Sequence, residues 1–123
     1  MLVVRAEDVK GRWTAPPHHR ELKVLLSPAL HGSYPGLSIG MVVLAPGESG
    51  DPHDHATEQE TWFIISGRGK LRVGDEEAEL VPDSVVVAPA GVEHQIFSAA
   101  DEPLKALFIF TPAGPEEQYM PEE

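Results

Sequence analysis

Apolar residues in this chain come in short runs, each broken by proline, glycine or a cluster of charge before it could complete a long helix. The runs cover residues 22–26, 37–44, 61–66, 70–73, 79–81, 84–88, 94–98 and 104–111. Their length and even spacing, set among 12 prolines and 11 glycines, predict many short strands and an all-β sandwich or barrel. Val73-Gly74-Asp75-Glu76-Glu77 reads as a hairpin turn, with glycine and aspartate where positive φ is needed. Gly67-Arg68-Gly69 makes a second turn. As a phosphate loop it is incomplete, because no helix-opening pattern follows and Arg72 stands in the place of a third glycine. Residues 1–20 are polar and proline-broken and are expected to form an extended arm. Residues 21–112 form the barrel domain, and residues 113–123 an acidic tail without periodicity, either loose or folded over the barrel mouth or a neighbouring subunit.

Against this background one cluster carries chemistry: His53-Asp54-His55, then Glu60, then His94. Alternate residues of a strand share a face, so two histidines at i and i+2 offer two imidazoles to one ion. The step from His55 to Glu60 is odd and would turn the carboxylate away along a regular strand. A loop or bulge at Ala56-Thr57-Glu58-Gln59 is therefore required. His94, after Pro89-Ala90-Gly91, must arrive from a separate strand. Three neutral imidazoles and one carboxylate hold a divalent ion at a net charge near +1, with positions left for water, substrate or dioxygen. His18, His19 and His31 lie beside prolines or glycines in predicted loops and read as ordinary surface or core residues.

The frame around these residues resembles a known pattern. Gly47, five residues, His53, one residue, His55, four residues, Glu60, six residues, Gly67 is similar to the first motif of the cupin family at every fixed position. Pro89, Gly91 and His94 match the second motif, with Asp83 where that motif has its leading glycine and Ser98 where it has a closing asparagine. The resemblance covers residues 37–111. It implies a double-stranded β-helix, a jelly-roll barrel of six to eight strands with His53, His55, Glu60 and His94 as ligands inside it. It also implies a homodimer paired through its sheets, for which 22–26 and 104–110 are the expected interface strands.

Strand alternation then assigns the pocket. Trp62 and Ile64 follow Glu60 to the metal side, Ile96 and Ser98 follow His94, and Met41 and Val43, or their neighbours, close the wall with one parity of Leu107, Phe108, Ile109 and Phe110. A core tryptophan that only fills space is the competing reading of Trp62. Few proton-transfer groups remain beside the ligands. Glu58, Gln59, Tyr34 and Glu93 are available, with no direction fixed by the sequence.

Composition narrows the rest. A chain of 123 residues with 41% hydrophobic and 24% charged residues makes one soluble domain. There is no cysteine, so a metal must be held by nitrogen and oxygen. A formal charge of −11 repels nucleic acid and anionic membrane surfaces. A buried ion can still attract an anion locally. No stretch has the length of a membrane span and no basic-then-apolar leader opens the sequence, so the expected location is cytoplasmic. The expectation is a metal-dependent enzyme acting on a small oxygen-bearing metabolite, with a dioxygenase favoured. A non-catalytic binding or sensing protein and an isomerase, decarboxylase or lyase are the alternatives. Iron, manganese, nickel, cobalt, copper and zinc all suit the donor set.

Overall fold

A computed structural model describes residues 1–32 and 35–121. Among these residues nine strands appear in chain order: β1 (Arg12–Trp13), β2 (Arg20–Leu26), β3 (Ser38–Leu44), β4 (Gln59–Ser66), β5 (Gly69–Val73), β6 (Glu76–Leu80), β7 (Val85–Ala88), β8 (His94–Ser98) and β9 (Leu104–Thr111). They form an antiparallel six-stranded sheet ordered β1-β2-β3-β9-β4-β7 and a three-stranded sheet ordered β6-β5-β8. The two sheets share one core, in which Leu71, Leu80 and Ile96 of the smaller sheet meet Leu22, Val42, Trp62, Ile64, Leu104 and Phe110 of the larger. This is the all-β jelly-roll architecture the sequence predicts. Among the described residues no helix is long and apolar enough to cross a membrane; the one α-helix, α1 (Pro28–His31), is a single turn.

Alternation decides which side chains enter the core. Ser38, Gly40, Val42 and Leu44 of β3 face inward, and their cross-strand partners Phe110, Phe108, Ala106 and Leu104 of β9 lie beside them on the same face. Gly40 is the necessary gap in this layer, because a Cβ there would overlap the ring of Phe108. Met41 consequently points outward, and Val42 takes the place expected for it.

The turns explain two features of the sequence. In the β5–β6 hairpin Gly74 has φ +57°, whereas Asp75 does not share its left-handed conformation. Asp83 does, with φ +67°, which is why a glycine suits that position and why aspartate, tolerant of left-handed backbone, replaces it. Ser98 also departs from the expected pattern: its hydroxyl donates to the Ala45 carbonyl at 2.6 Å and accepts from the Glu48 amide at 3.1 Å. It secures the turn after β3 and does not line the cavity.

The expected interface strands are not equivalent. β9 is paired along its length by β3 and β4 and has no free edge. β2 is paired on its outer side by β1 at Glu21 and Leu22 and by Thr14 at Arg20. The other sheet margin is β7, which exposes Val85 and Val87.

Candidate metal centre and its cavity

His53 and His94 are drawn together by backbone. Each amide donates to the other's carbonyl, at 3.1 and 2.9 Å, an isolated bridge that attaches the loop before β4 to the start of β8. The two histidines of the His-x-His pair therefore do not share a regular strand, as alternation alone suggests; both lie in this loop, which Gly91 fixes by donating its amide to the His55 carbonyl at 2.7 Å. The break before Glu60 is present, but it is over by Gln59, the first residue of β4.

The ligand atoms of His53, His55, Glu60 and His94 lie within 4.8 Å of one another. Glu60, 4% exposed, brings one carboxylate oxygen to 2.9 Å from His94 Nε2, 3.3 Å from His55 Nε2 and 3.7 Å from His53 Nε2. The opposite ring nitrogens explain what these atoms present. His53 Nδ1 lies 2.8 Å from the Asp51 carbonyl and His94 Nδ1 lies 3.2 Å from the Val92 carbonyl. A carbonyl only accepts, so Nδ1 carries the proton and Nε2 is left with its lone pair. The two Nε2 atoms nevertheless face each other at 3.1 Å, and His55 Nε2 is buried with no hydrogen-bond partner. Lone pairs and a carboxylate crowded in this way need a shared positive charge. A divalent cation fits this donor set.

A proton answers the same need in part. Burial disfavours the charged form of His53, but hydrogen bonding to Glu60, the Asp51 carbonyl and the Glu60 charge outweigh it, and its pKa is raised. Burial likewise pushes Glu60 up, while the three imidazoles that face its carboxylate, His53, His55 and His94, pull it down to about 2. The carboxylate is thus ionised throughout the ordinary pH range.

Beside the cluster lies a cavity of about 30 Å³, lined by His53, Glu60 and His94 together with Trp62, Ile96, Phe108 and other residues. Trp62 packs edge-on to His94, with ring centroids 5.0 Å apart. Trp62 and Ile96 thus occupy the wall expected for them. Ile64 is fully buried in the core behind it, and Met41 and Ser98 lie elsewhere.

Two of the lining residues are polar and were not expected. Arg20 opens β2 in phase with Leu22 and Val24, and is 7% exposed. One nitrogen of its guanidinium donates to Asp51 Oδ1 at 3.0 Å and the other to the His18 carbonyl at 3.1 Å. Tyr119 comes from the C-terminal 3-10 turn (Pro115–Tyr119). Burial and the charge of Glu60 raise its pKa, so the hydroxyl stays neutral. Strand parity carried back from Leu22 points to Arg20; no periodic signal marks Tyr119. Of the acid–base candidates, Glu93 is exposed and pairs with Arg72 at 3.1 Å, Glu58 accepts from Thr57, and Gln59 is exposed. Tyr34 lies outside the described residues. His19 and His31 bond to nearby backbone carbonyls, His18 to the carbonyl of Ser49, and none of the three lines the cavity.

The cupin domain family matches residues 40–110. The chain belongs to the cupin family. It is 30% identical over 115 residues to the tetracenomycin polyketide synthase protein TcmJ of Streptomyces glaucescens, covering 92% of this chain and 76% of that protein. Among solved structures it resembles the polyketide cyclase RemF of Streptomyces resistomycificus, with TM-score 0.78 and 19% identity over 94% of this chain and 82% of that one. KdgF from a Halomonas species superposes with TM-score 0.77 and 18% identity, over 93% and 97%. In this cupin the described residues thus carry a cluster suited to a metal, and the polar pair above it comes from outside the 40–110 segment.

Proposed function

We propose that this cupin is a metal-dependent enzyme that acts on a small carbonyl- or carboxylate-bearing metabolite. The observation that carries this reading is the convergence of three imidazoles and an ionised carboxylate, with His55 Nε2 buried, 3.3 Å from the Glu60 oxygen and without a hydrogen bond. When bound, a divalent ion supplies Lewis acidity toward a carbonyl or enolate oxygen, or a binding place for dioxygen. The protein contributes the rest. Asp51 and Val92 hold His53 and His94 in one tautomer through their carbonyls. Glu60 lowers the net charge of the loaded site. Leu22, Val42, Trp62, Ile96 and Phe108 exclude water and strengthen every charge interaction inside the cavity.

For the reaction itself, oxygen-dependent ring or C–C cleavage suits the apolar wall and the scarcity of proton-transfer groups. A second reading is favoured by the relatives. TcmJ and RemF are described as a polyketide synthase protein and a polyketide cyclase, and non-oxidative rearrangement of a polycarbonyl substrate would use the same ion to hold an enolate. Oxygen consumption by iron-loaded protein during a screen of small aromatic acids and diketones separates the two. Uptake matched to substrate loss supports the dioxygenase; substrate loss under anaerobic conditions supports the cyclase-type reaction. Tight binding with no turnover under either condition would leave a binding protein and sink both.

A further inference from the structure

At about 30 Å³ the cavity has room for one or two waters, far less than any organic metabolite needs. What occupies the remaining space is identifiable. The Tyr119 ring stacks edge-on to Phe108 at a centroid distance of 5.6 Å, and its side chain shares the cavity with Arg20. Residues 114–120 belong to no strand, so the ladder does not hold this segment in place. Side chains do: the Arg12 guanidinium donates to the Gln118 carbonyl at 3.0 Å, and at the buried end stands Glu116. It is 1% exposed, and its two carboxylate oxygens accept from the Ser27 hydroxyl and the Gly114 amide, both at 2.6 Å. A buried carboxylate costs several kcal/mol in desolvation unless it is well bonded. Here it fixes the turn that aims Tyr119 into the cavity three residues later.

Beside the phenol in the cavity wall lies the Arg20 guanidinium, which is buried and tied to Asp51, His18 and Thr14. Withdrawal of Tyr119 leaves this cation facing the space next to the histidines. The protein surface is strongly acidic, and in the empty site Asp51 and Glu60 offset Arg20; with a divalent ion bound, the vacated pocket would carry net positive charge.

We propose that Tyr119 is the gate that sets ligand size at this centre, that Glu116 is the latch holding it shut, and that an oxyanion-bearing ligand binds where the phenol was, with Arg20 as its recognition group. The inference rests on the cavity being the ligand site, as the proposed function holds. The gate excludes ligands by occupancy, so the free energy of opening is subtracted from every binding event. Tyr119 and Arg20 are then the residues that decide which substrate the centre accepts.

The test has two arms on the full-length chain. In a Trp13→Phe background, which removes the exposed tryptophan, acrylamide quenching of Trp62 reports access to the cavity. Tyr119→Ala and Glu116→Gln should each raise the quenching constant about threefold or more; quenching unchanged in both overturns the gate. This arm needs no metal, so it decides the gate separately from the proposed function, which fails if the protein holds no ion. In the second arm malonate is titrated calorimetrically into zinc-loaded protein. Glu116→Gln should bind it about tenfold more tightly than the wild type, and Arg20→Gln added to that variant should abolish the gain. Affinity indifferent to Glu116→Gln overturns the latch. Affinity that survives Arg20→Gln overturns the assignment of the recognition group.

Discussion

The two halves of the cavity are built in opposite ways. Its floor, the metal cluster, draws His53, His55 and Glu60 from one short stretch of chain and adds His94 through a two-way backbone bridge. Its roof takes Arg20 from the first residue of β2 and Tyr119 from a turn near the other end of the sequence, which a side-chain latch between Glu116 and Ser27 ties to the fold. Holding an ion demands a few donors at fixed spacing, which a motif can encode. Choosing a ligand demands only that something of suitable shape and charge reach the same space. Cupins that share the floor can therefore differ completely in the roof, and the family alone does not name a substrate.

The largest effect should come from the floor. Glu60→Gln keeps the shape of the side chain but removes the charge that three imidazoles face, so metal affinity should fall about 100-fold or more. Competition with a chelator measures it; unchanged affinity would remove Glu60 from the ligand set. Next comes the frame that positions the floor. Gly67 has φ +85°, and a Cβ there would overlap the Pro103 carbonyl, so Gly67→Ala should destabilise the fold by about 3 kcal/mol or more. Gly47, with φ +73° but nothing closer than 3.9 Å, should lose only the backbone term on Gly47→Ala, about 1 kcal/mol. Urea denaturation distinguishes them, and equal losses would contradict the packing argument.

The roof should respond more weakly and with a different pH dependence. Burial raises the pKa of Glu116, but its bonds to Ser27 and Gly114 outweigh this and hold it below the ordinary 4.5. A lowered carboxylate stabilises the fold above its unfolded pKa and loses that contribution as pH falls through the folded one. Glu116→Gln should therefore cost about 2 kcal/mol at neutral pH, and the gap to wild type should narrow on acidification below 4.5. A gap independent of pH would mean that the charge is not what holds the latch. The smallest effect belongs to Asp51→Asn. Its carboxylate is 54% exposed although its partner Arg20 is buried, so stability should change by less than about 1 kcal/mol. A larger loss would make Arg20 a structural residue before a recognition group.

The same contrast governs how much could be read from the sequence. The strands 94–98 and 104–111 begin and end where the apolar runs do, since proline and charge interrupt the alternation sharply there. The four clustered side chains were legible because their spacing is itself the constraint. Between Met41 and Val43 and their neighbours the sequence cannot choose, because a uniformly apolar stretch such as Met41-Val42-Val43-Leu44 carries no parity; Gly40 opposite Phe108 turns Val42 inward and Met41 outward. Ser98 keeps the inward phase in principle but meets the turn at Ala45 and Glu48 before it meets the cavity. Tyr119 was illegible, because a lone aromatic in an acidic tail has no period and its position depends on Glu116 finding Ser27 across the whole fold.

The central claim is that the floor holds an ion, and metal content tests it most directly. Elemental analysis of freshly isolated wild-type protein, prepared anaerobically beside His53→Ala and His94→Ala, should find close to one divalent ion per chain in the first and a large loss in both variants. Full metal content retained by both variants would contradict the account.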